Sequence, residues 1–308
     1  MNSKNPNSIG LYKAFEDLHR GSHELIKSRL GVYLPFVEVI KSIYPPAPSS
    51  STATPAIEAL DLGCGRGEWL ELLKENGVSA EGIDLDDDML SACRVQGLKV
   101  ATGDAVAYLQ TLPNNSRSVI SGFHIAEHLS LEDLKIVVEE SLRVLKPAGL
   151  LILEVPNTEN LVVGTSSFYL DPTHQRPLPS QLLTFLTDYF GFARSKLLRL
   201  QEPAPLRDEL TPVSLFNVLS AVSPDYAVIA QKQAEANTLA SFDVLFNQTY
   251  GLSLDVLAIR YQSHIDDLGK RLENLEQQVQ LLNARMNKIR HLFAPLRWLK
   301  NLFSKDAK

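Results

Sequence analysis

Short apolar runs alternate with segments of helical periodicity between residues 57 and 231, and this alternation constrains the fold more than any other feature of the chain. The apolar runs predict strands, and the segments between them predict helices. The predicted strands span residues 57–62, 80–84, 99–102, 118–123, 149–155, 195–200 and 226–231, and the predicted helices span residues 68–76, 88–95, 105–109, 131–145 and 178–190. This order indicates an α/β fold with a parallel, doubly wound sheet.

A glycine-rich loop follows the first predicted strand and leads into a helix. The segment from Leu60 to Glu68 reads LDLGCGRGE, and its glycines let a ligand approach the backbone without a Cβ in the way. About twenty residues further on, Asp84 ends the second strand, where a carboxylate can accept hydrogen bonds from both ribose hydroxyls. Asp104 follows the third strand, within reach of an adenine. The three elements together predict a site for an adenosine-containing cofactor.

These elements, together with the segment LKPAG at 145–149, resemble the class I S-adenosylmethionine (SAM) dependent methyltransferases over about residues 57–232. The resemblance implies SAM as cofactor and a Rossmann-like sheet whose last strand is antiparallel. It places Asp61, Gly63 and Gly65 around the methionine part, Asp84 at the ribose and Asp104 at the adenine. The predicted cofactor-binding set also includes Cys64, Leu85, Ala105 and His124.

A nicotinamide dinucleotide fold is the rival interpretation of the same loop. That fold uses the pattern G-x-G-x-x-G to hold a pyrophosphate, whereas this loop reads GCGRGE. The acid at Asp61 would also repel a phosphate. Both observations favour SAM.

The candidate catalytic residues follow the fourth and fifth strands, at the carboxyl edge where such sheets bind ligands. Methyl transfer to a hydroxyl requires alignment of the reacting groups and removal of a proton. We predict His174 as the general base, oriented by Asp171, with His124 as the second candidate. The predicted acceptor-binding residues are Arg20, His128, Tyr169 and Arg176. A purely structural role for the histidines is the alternative.

No fixed ligand spacing predicts a metal ion, and we therefore include no metal in the predicted site. If the chain did bind a divalent ion, its ligands would come from the set His124, His128, Asp171 and His174.

Two further blocks, at 12–22 and 168–177, resemble methyltransferases of bacterial surface-polysaccharide assembly, including those that methylate and terminate O-antigen chains. The resemblance implies a sugar hydroxyl of a lipid-linked polysaccharide as acceptor, with Arg20 and Arg176 binding sugar or phosphate oxygens. Alternatively, the first block is a lid over the cofactor, with Arg20 paired to Glu16 at helical spacing.

The apolar period changes to a heptad beyond residue 255. Apolar residues recur at alternating intervals of three and four: Ile265, Leu268, Leu272, Leu275, Val279, Leu282, Met286 and Ile289. This spacing predicts a coiled coil that self-associates through residues 265–289 as a dimer or trimer, or a helix that packs on its own domain. A coil of this length could also serve as a spacer that helps to set glycan length.

The chain divides into four predicted parts. Residues 1–55 form an N-terminal helical cap and linker, 56–250 the methyltransferase domain, 251–292 the coiled coil and 293–308 an amphipathic basic tail. Aromatic and basic side chains alternate in residues 293–303, which suits contact with a membrane surface or a glycosyltransferase.

The composition excludes several classes of protein. The net charge of −6 argues against a nucleic-acid partner, because such binders need a basic face. Cys64 and Cys93 cannot form a disulfide framework, and no apolar stretch approaches the ~20 residues that span a bilayer. The N-terminus shows no secretory signal. We therefore predict a cytoplasmic protein that is at most peripheral to the inner face of the membrane.

Two other functions remain open at this point. A small-molecule O-methyltransferase acting on a quinone or phenol would share every cofactor motif. A non-catalytic oligomeric scaffold would use only the fold and the coil, but the intact Gly63, Gly65 and Asp84 argue against it. We predict a SAM-dependent O-methyltransferase of a surface-polysaccharide sugar, with a role in terminating chain growth.

Overall fold

The computed structural model describes residues 21–45 and 58–303, and it describes side chains as far as residue 291. The predicted helical segment before residue 21, Arg20 and the linker at 46–55 lie outside the described residues. The side chains of the predicted tail at 293–308 lie outside them as well.

Seven strands of the described chain form one sheet. They are β1 (Glu58–Leu62), β2 (Ser79–Asp84), β3 (Lys99–Thr102), β4 (Arg117–Phe123), β5 (Leu145–Pro156), β6 (Arg194–Leu200) and β7 (Asp225–Gln231). Their order across the sheet is β3-β2-β1-β4-β5-β7-β6. Strands β1 to β5 pair in parallel, and β7 runs antiparallel to both β5 and β6. The predicted doubly wound sheet with an antiparallel last strand is confirmed.

Twelve helices accompany the sheet in the described ranges. They are α1 (His23–Leu30), α2 (Leu34–Ile43), α3 (Glu68–Glu75), α4 (Asp87–Val95), α5 (Ala105–Thr111), α6 (Leu131–Val144), α7 (Leu161–Thr165), α8 (Ser180–Phe190), α9 (Leu215–Ser220), α10 (Ala236–Ala240), α11 (Asp243–Asn247) and α12 (Leu254–Phe303). The predicted helices between 68 and 190 differ from the observed ones by at most two residues at either end. The short helices α7 and α9 to α11 have no long apolar period, and the sequence did not predict them.

The sheet separates two apolar cores, because successive side chains along a strand point to opposite faces. In β5, Leu151 and Leu153 pack in the core beneath α5, α6 and α8, whereas Leu150 and Ile152 pack in the other core. The second core is covered by α2, α3 and α11. Strands buried on both faces are nearly continuous apolar runs, which explains why β5 could be predicted from the sequence.

The N-terminal helices contribute to the second core. Tyr33 and Phe36 are completely buried there, and their rings contact residues of α3, β4 and α11. The predicted N-terminal part of the chain therefore shares its apolar core with the sheet through these residues.

The last helix, α12, begins on the sheet domain and then leaves it. Leu257 is completely buried against a small apolar cluster that includes Leu206 and Val222. The Arg260 guanidinium donates hydrogen bonds to the backbone carbonyls of Leu206, Asp208 and Thr211. From residue 262 to residue 291 every side chain is exposed. Among the helices in the described ranges, none combines the length and apolarity needed to cross a membrane.

The substitution Phe36→Ala tests whether α2 belongs to the cooperative core. We expect it to lower the free energy of unfolding by about 3–5 kcal/mol, because it leaves a cavity between α2 and the aromatic rings of α11. Urea unfolding measured by circular dichroism gives this value. The control Glu38→Ala, at an exposed position of the same helix, should change the value by less than ~0.5 kcal/mol. Equal effects of the two substitutions would show that α2 does not stabilise the core.

Candidate functional site

The loop between β1 and α3 needs glycine at three positions. Gly63, Gly65 and Gly67 have φ angles of 67°, 49° and 82°, in the left-handed region that residues with a Cβ rarely adopt. The amides of Gly63 and Cys64 donate to the carbonyl of Ile83 at 2.8 and 3.1 Å, which ties the loop to the end of β2. The loop therefore presents bare backbone at the carboxyl edge of the sheet.

Asp84, at the end of β2, holds this loop in place. Its Oδ2 accepts a hydrogen bond from the amide of Gly65 at 2.8 Å, and its Oδ1 accepts one from the amide of Asp86 at 2.9 Å. Each carboxylate oxygen has a second lone pair that can still accept from a ribose hydroxyl. The next residue, Leu85, is 73% exposed, so an apolar surface adjoins the carboxylate.

The remaining predicted cofactor residues lie around this edge in three different settings. Asp61 is buried at the end of β1 and accepts a hydrogen bond from the Ser121 hydroxyl at 2.7 Å. Asp104 is exposed and caps α5 by accepting from the amide of Ala107 at 2.8 Å, while Ala105 is buried beside it. The cap gives Asp104 a structural role in addition to its predicted contact with the adenine.

The charges around the loop suit a cationic ligand better than a phosphate. Burial raises the pKa of the Cys64 thiol, and the negative charges of Asp61 and Asp84 raise it further. Arg66, the basic residue of the loop, is paired with Glu68 at 2.8 Å. A glycine-lined cradle with acids on both sides fits an adenosyl sulfonium and disfavours a pyrophosphate.

His124 follows β4 and stands among three carboxylates. It has a φ angle of 56°, which is uncommon for a residue other than glycine. Its Nδ1 lies 3.2 Å from Oε1 of Glu127, and its Nε2 lies 3.6 Å from Oε1 of Glu154 and 4.0 Å from Oδ1 of Asp225. Burial opposes protonation of the ring, but the carboxylates outweigh it and raise the pKa of His124 well above 6.5.

Side chains from distant parts of the chain donate hydrogen bonds to one of these carboxylates, Glu154. The Tyr33 hydroxyl donates to Oε2 of Glu154, and the Gln201 amide donates to its Oε1 at 3.3 Å. Burial raises the pKa of both Tyr33 and Asp225. No role was predicted from the sequence for Tyr33, Glu154 or Asp225. Glu154 could have been identified from the sequence, because it is an acid at the end of a buried apolar strand. Nothing in the sequence marks Tyr33 or Asp225.

His174 is oriented by a backbone carbonyl, which corrects the predicted role of Asp171. The Nδ1 of His174 lies 2.6 Å from the carbonyl oxygen of Phe168. The Oδ2 of Asp171 is 3.9 Å from the other ring nitrogen, Nε2, which is too far for a hydrogen bond. Asp171 accepts instead from the hydroxyl and the amide of Thr173, and these bonds, against the effect of burial, lower its pKa.

His128 joins the loop after β5 to the turn after β4. Its Nδ1 lies 3.0 Å from the Thr173 hydroxyl, and its ring packs edge-on against that of His174 with centroids 4.7 Å apart. The backbone amide of Gln175 donates to the carbonyl of Glu127 at 2.9 Å. Burial lowers the pKa of His128. The structure thus brings together four residues that we call the acceptor cluster: Glu127, His128, Asp171 and His174.

Two predicted acceptor-binding residues border this cluster in the sequence. Tyr169 is 62% exposed and packs edge-on against Phe168, which itself contacts His174. In Arg176 the Nε and Nη2 atoms are buried and have no hydrogen-bond partner among the residues that the structure describes. The third, Arg20, lies outside the described residues.

Comparisons with known proteins agree with this geometry. A family model described as a methyltransferase domain matches residues 60–153. A probable S-adenosylmethionine-dependent methyltransferase of Mycolicibacterium smegmatis is 30% identical over 135 residues, which make up 44% of this chain and 51% of that protein. A ubiquinone biosynthesis O-methyltransferase of Idiomarina loihiensis is 25% identical over 188 residues, which make up 58% of this chain and 72% of that protein.

A solved structure extends the similarity over a larger share of the chain. The crystal structure of a SAM-dependent methyltransferase from Archaeoglobus fulgidus is 31% identical in sequence and superposes with a TM-score of 0.60. The superposition covers 72% of this chain and 99% of the archaeal chain. The chain thus spans about half of the mycobacterial relative and nearly all of the archaeal protein.

The substitution Asp84→Asn tests the cofactor site. It removes the negative charge that the Gly65 amide contacts and that we expect the ribose hydroxyls to contact, and hydrogen bonds to a charged group contribute about 1.5–3 kcal/mol. We expect the affinity for SAM, measured by calorimetry, to fall about tenfold to a hundredfold. Asp88→Asn, at an exposed position of α4, is the matched control and should bind SAM as the wild type does. Unchanged affinity in Asp84→Asn would place the ribose elsewhere.

Proposed function

The chain belongs to the class I SAM-dependent methyltransferases, and on that basis we propose that it methylates a hydroxyl group of a sugar in a lipid-linked bacterial surface polysaccharide. The observation that carries the proposal is the acceptor cluster beside the cofactor edge. In this cluster the Phe168 carbonyl fixes the tautomer of His174, so that the other ring nitrogen can accept a proton.

Different residues bind the cofactor and accept the proton. Bound SAM supplies an electrophilic methyl group on a sulfonium. The glycine loop and Asp84 hold the cofactor, and the carboxylates around His124 favour a positive charge at this edge of the sheet. We assign Nε2 of His174 as the atom that takes the proton from the acceptor hydroxyl, because Nδ1 is committed to the Phe168 carbonyl.

The side chains on the acceptor side favour a sugar as the acceptor. Carboxylates and imidazoles line the acceptor cluster, and these groups pair with hydroxyls rather than with an apolar ring. The exposed ring of Tyr169 offers a flat surface on which a sugar can stack. The two buried nitrogens of Arg176 that have no partner among the described residues suit an acidic or phosphorylated sugar.

A small-molecule phenol is the second candidate acceptor, because the Idiomarina relative is named for ubiquinone biosynthesis. A phenol would need few of the polar side chains of the acceptor cluster. The two acceptors differ in a simple assay, since a phenol-specific enzyme would release S-adenosylhomocysteine with small phenols and none with oligosaccharides.

The substitution His174→Asn tests the proposed function. We expect kcat on the preferred oligosaccharide to fall by about 10²–10⁴, because the proton acceptor is lost, while the SAM affinity stays at the wild-type value. Release of S-adenosylhomocysteine over a panel of synthetic oligosaccharides measures the effect. His264→Asn, in the exposed part of α12, is the control. Full activity of His174→Asn would exclude His174 as the base, and turnover of phenols alone would replace the sugar by a small molecule.

We also propose that α12 self-associates with α12 of a second copy. The eight heptad residues between 265 and 289 are 41–58% exposed in the single chain, and an apolar stripe of this kind is stabilised by a partner helix. Residues 262–291 would extend about 45 Å from the sheet domain, which suits a spacer. Docking of residues 293–303 on the inner face of the membrane or on a glycosyltransferase is part of the same proposal.

The double substitution Leu275→Glu with Leu282→Glu tests this association. It places charges in the apolar seam, so we expect the full-length protein to become monomeric in light scattering coupled to gel filtration. The control Gln277→Glu with Ala284→Glu adds the same charge on the outer face of the helix and should leave the oligomer intact. A wild-type protein that is itself monomeric would contradict the proposal. If the coil also sets glycan length, the monomer should give an altered length distribution.

A further inference from the structure

Three side chains of the acceptor cluster point ligand atoms toward one another. One ligand atom each from Glu127, His128 and His174 lies within 4.8 Å of the other two. Glu127 is completely buried, and both imidazoles are mostly buried. The positions of the protons on the two imidazole rings decide whether these three groups can hydrogen-bond to one another.

His174 brings no proton to the cluster in its neutral form. Its Nδ1 lies 2.6 Å from the Phe168 carbonyl, which can only accept, so Nδ1 carries the hydrogen. The lone pair is then on Nε2, and this atom lies 3.9 Å from Oε1 of Glu127. Two acceptors therefore face each other across a gap that is too wide for a hydrogen bond.

His128 also brings no proton to the cluster in its neutral form. The Thr173 hydroxyl donates its single proton to the Asp171 carboxylate at 2.6 Å. Its oxygen must therefore accept the hydrogen bond from Nδ1 of His128 at 3.0 Å. In the neutral ring, Nε2 of His128 is also a lone pair.

Glu127 completes a set of three acceptors. Its Oε2 atom is buried and has no hydrogen-bond partner within the part of the chain that the structure describes. Its other oxygen, Oε1, lies 3.2 Å from Nδ1 of His124 and is the atom 3.9 Å from Nε2 of His174. A buried carboxylate oxygen without a partner is costly, and so is the proximity of this carboxylate to two imidazole lone pairs. A cation between the three groups removes both costs.

We propose that Glu127, His128 and His174 bind a divalent transition-metal ion. Two imidazoles and one carboxylate suit Mn²⁺, Co²⁺ or Zn²⁺ better than Ca²⁺ or Mg²⁺, which prefer oxygen ligands. The hydrogen bonds from Nδ1 to the Phe168 carbonyl and to Thr173, itself bonded to Asp171, are the outer contacts that orient metal-binding histidines. The neighbouring group of His124, Glu154 and Asp225 is a weaker candidate, because Glu154 already accepts from Tyr33 and Gln201.

The ion would also have a role in the proposed function, and this catalytic role rests on that proposal. Three protein ligands leave positions open for oxygens of the acceptor, and two adjacent hydroxyls of a sugar can occupy them together. A hydroxyl coordinated there would lose its proton to solvent water more readily, and its oxygen would bond to the methyl carbon of bound SAM as the methyl carbon–sulfur bond breaks and S-adenosylhomocysteine leaves. With the ion bound, His174 is a ligand instead of the proton acceptor.

Co²⁺ binding to the tag-free, EDTA-treated full-length protein tests the site directly. We expect one Co²⁺ per chain, with the visible absorption bands of a nitrogen- and oxygen-ligated ion. His128→Gln should abolish these bands, and Thr173→Val, which removes only an outer contact, should weaken binding about tenfold to a hundredfold. His264→Gln, in the exposed part of α12, is the control and should bind Co²⁺ as the wild type does.

The outcomes distinguish failure of the metal site from failure of the proposed function. Absence of Co²⁺ binding by the wild type, or equal binding by His128→Gln, would overturn the metal site. Full methyl transfer to a glycan by the EDTA-treated enzyme would exclude a catalytic ion and leave the proposed function standing. Stoichiometric Co²⁺ binding that His128→Gln abolishes would support the site even if no glycan were methylated, and only the proposed acceptor would then fail.

Discussion

The parallel pairing of β2, β1, β4 and β5 is the constraint on which the site depends. Because these strands run in one direction, their carboxyl ends meet at one edge of the sheet. Asp61, Asp84, His124 and Glu154 each stand at or just beyond such an end. Residues almost a hundred positions apart in sequence therefore lie at one edge of the sheet, and each of these side chains is held in place by the strand that it ends.

The polar groups at this edge are stable only because they satisfy one another. A carboxylate in the position of Glu154 would be costly to bury alone. Its two oxygens accept from Tyr33 on the N-terminal side and from Gln201 after β6, and Asp61 accepts from Ser121 on β4. Packing of the N-terminal helices and the electrostatics of the acceptor side are thereby coupled, since Tyr33 is part of both the apolar core and this network.

Much of the fold and half of the site could be predicted because their signals are local. The period of apolar residues determines the strands from β1 to β5, and three elements within about fifty residues indicate the cofactor. The acceptor side was harder to predict. His174, His128 and His124 were identified by residue type. The group that orients His174 is the Phe168 carbonyl, and a contact to a backbone atom cannot be predicted from residue types. Tyr33 and Asp225 were missed, because a hydroxyl on a helix and an acid at a strand start acquire their roles only by packing.

The sequence by itself determined the class of fold, the glycine loop with its required positive φ angles, the acids after three strands, and the heptad period of the last helix. These features depend on the conformational freedom of single residues and on periodicity over one element, both of which are local properties. The tertiary structure alone decided which carboxylates surround His124, which ring nitrogens of His128 and His174 are held by outer contacts, and that Glu127 lies beside both imidazoles with one of its oxygens buried and unpartnered among the described residues. Those outcomes depend on distances between residues far apart in the chain, and such distances exist only once the sheet has brought the strand ends together.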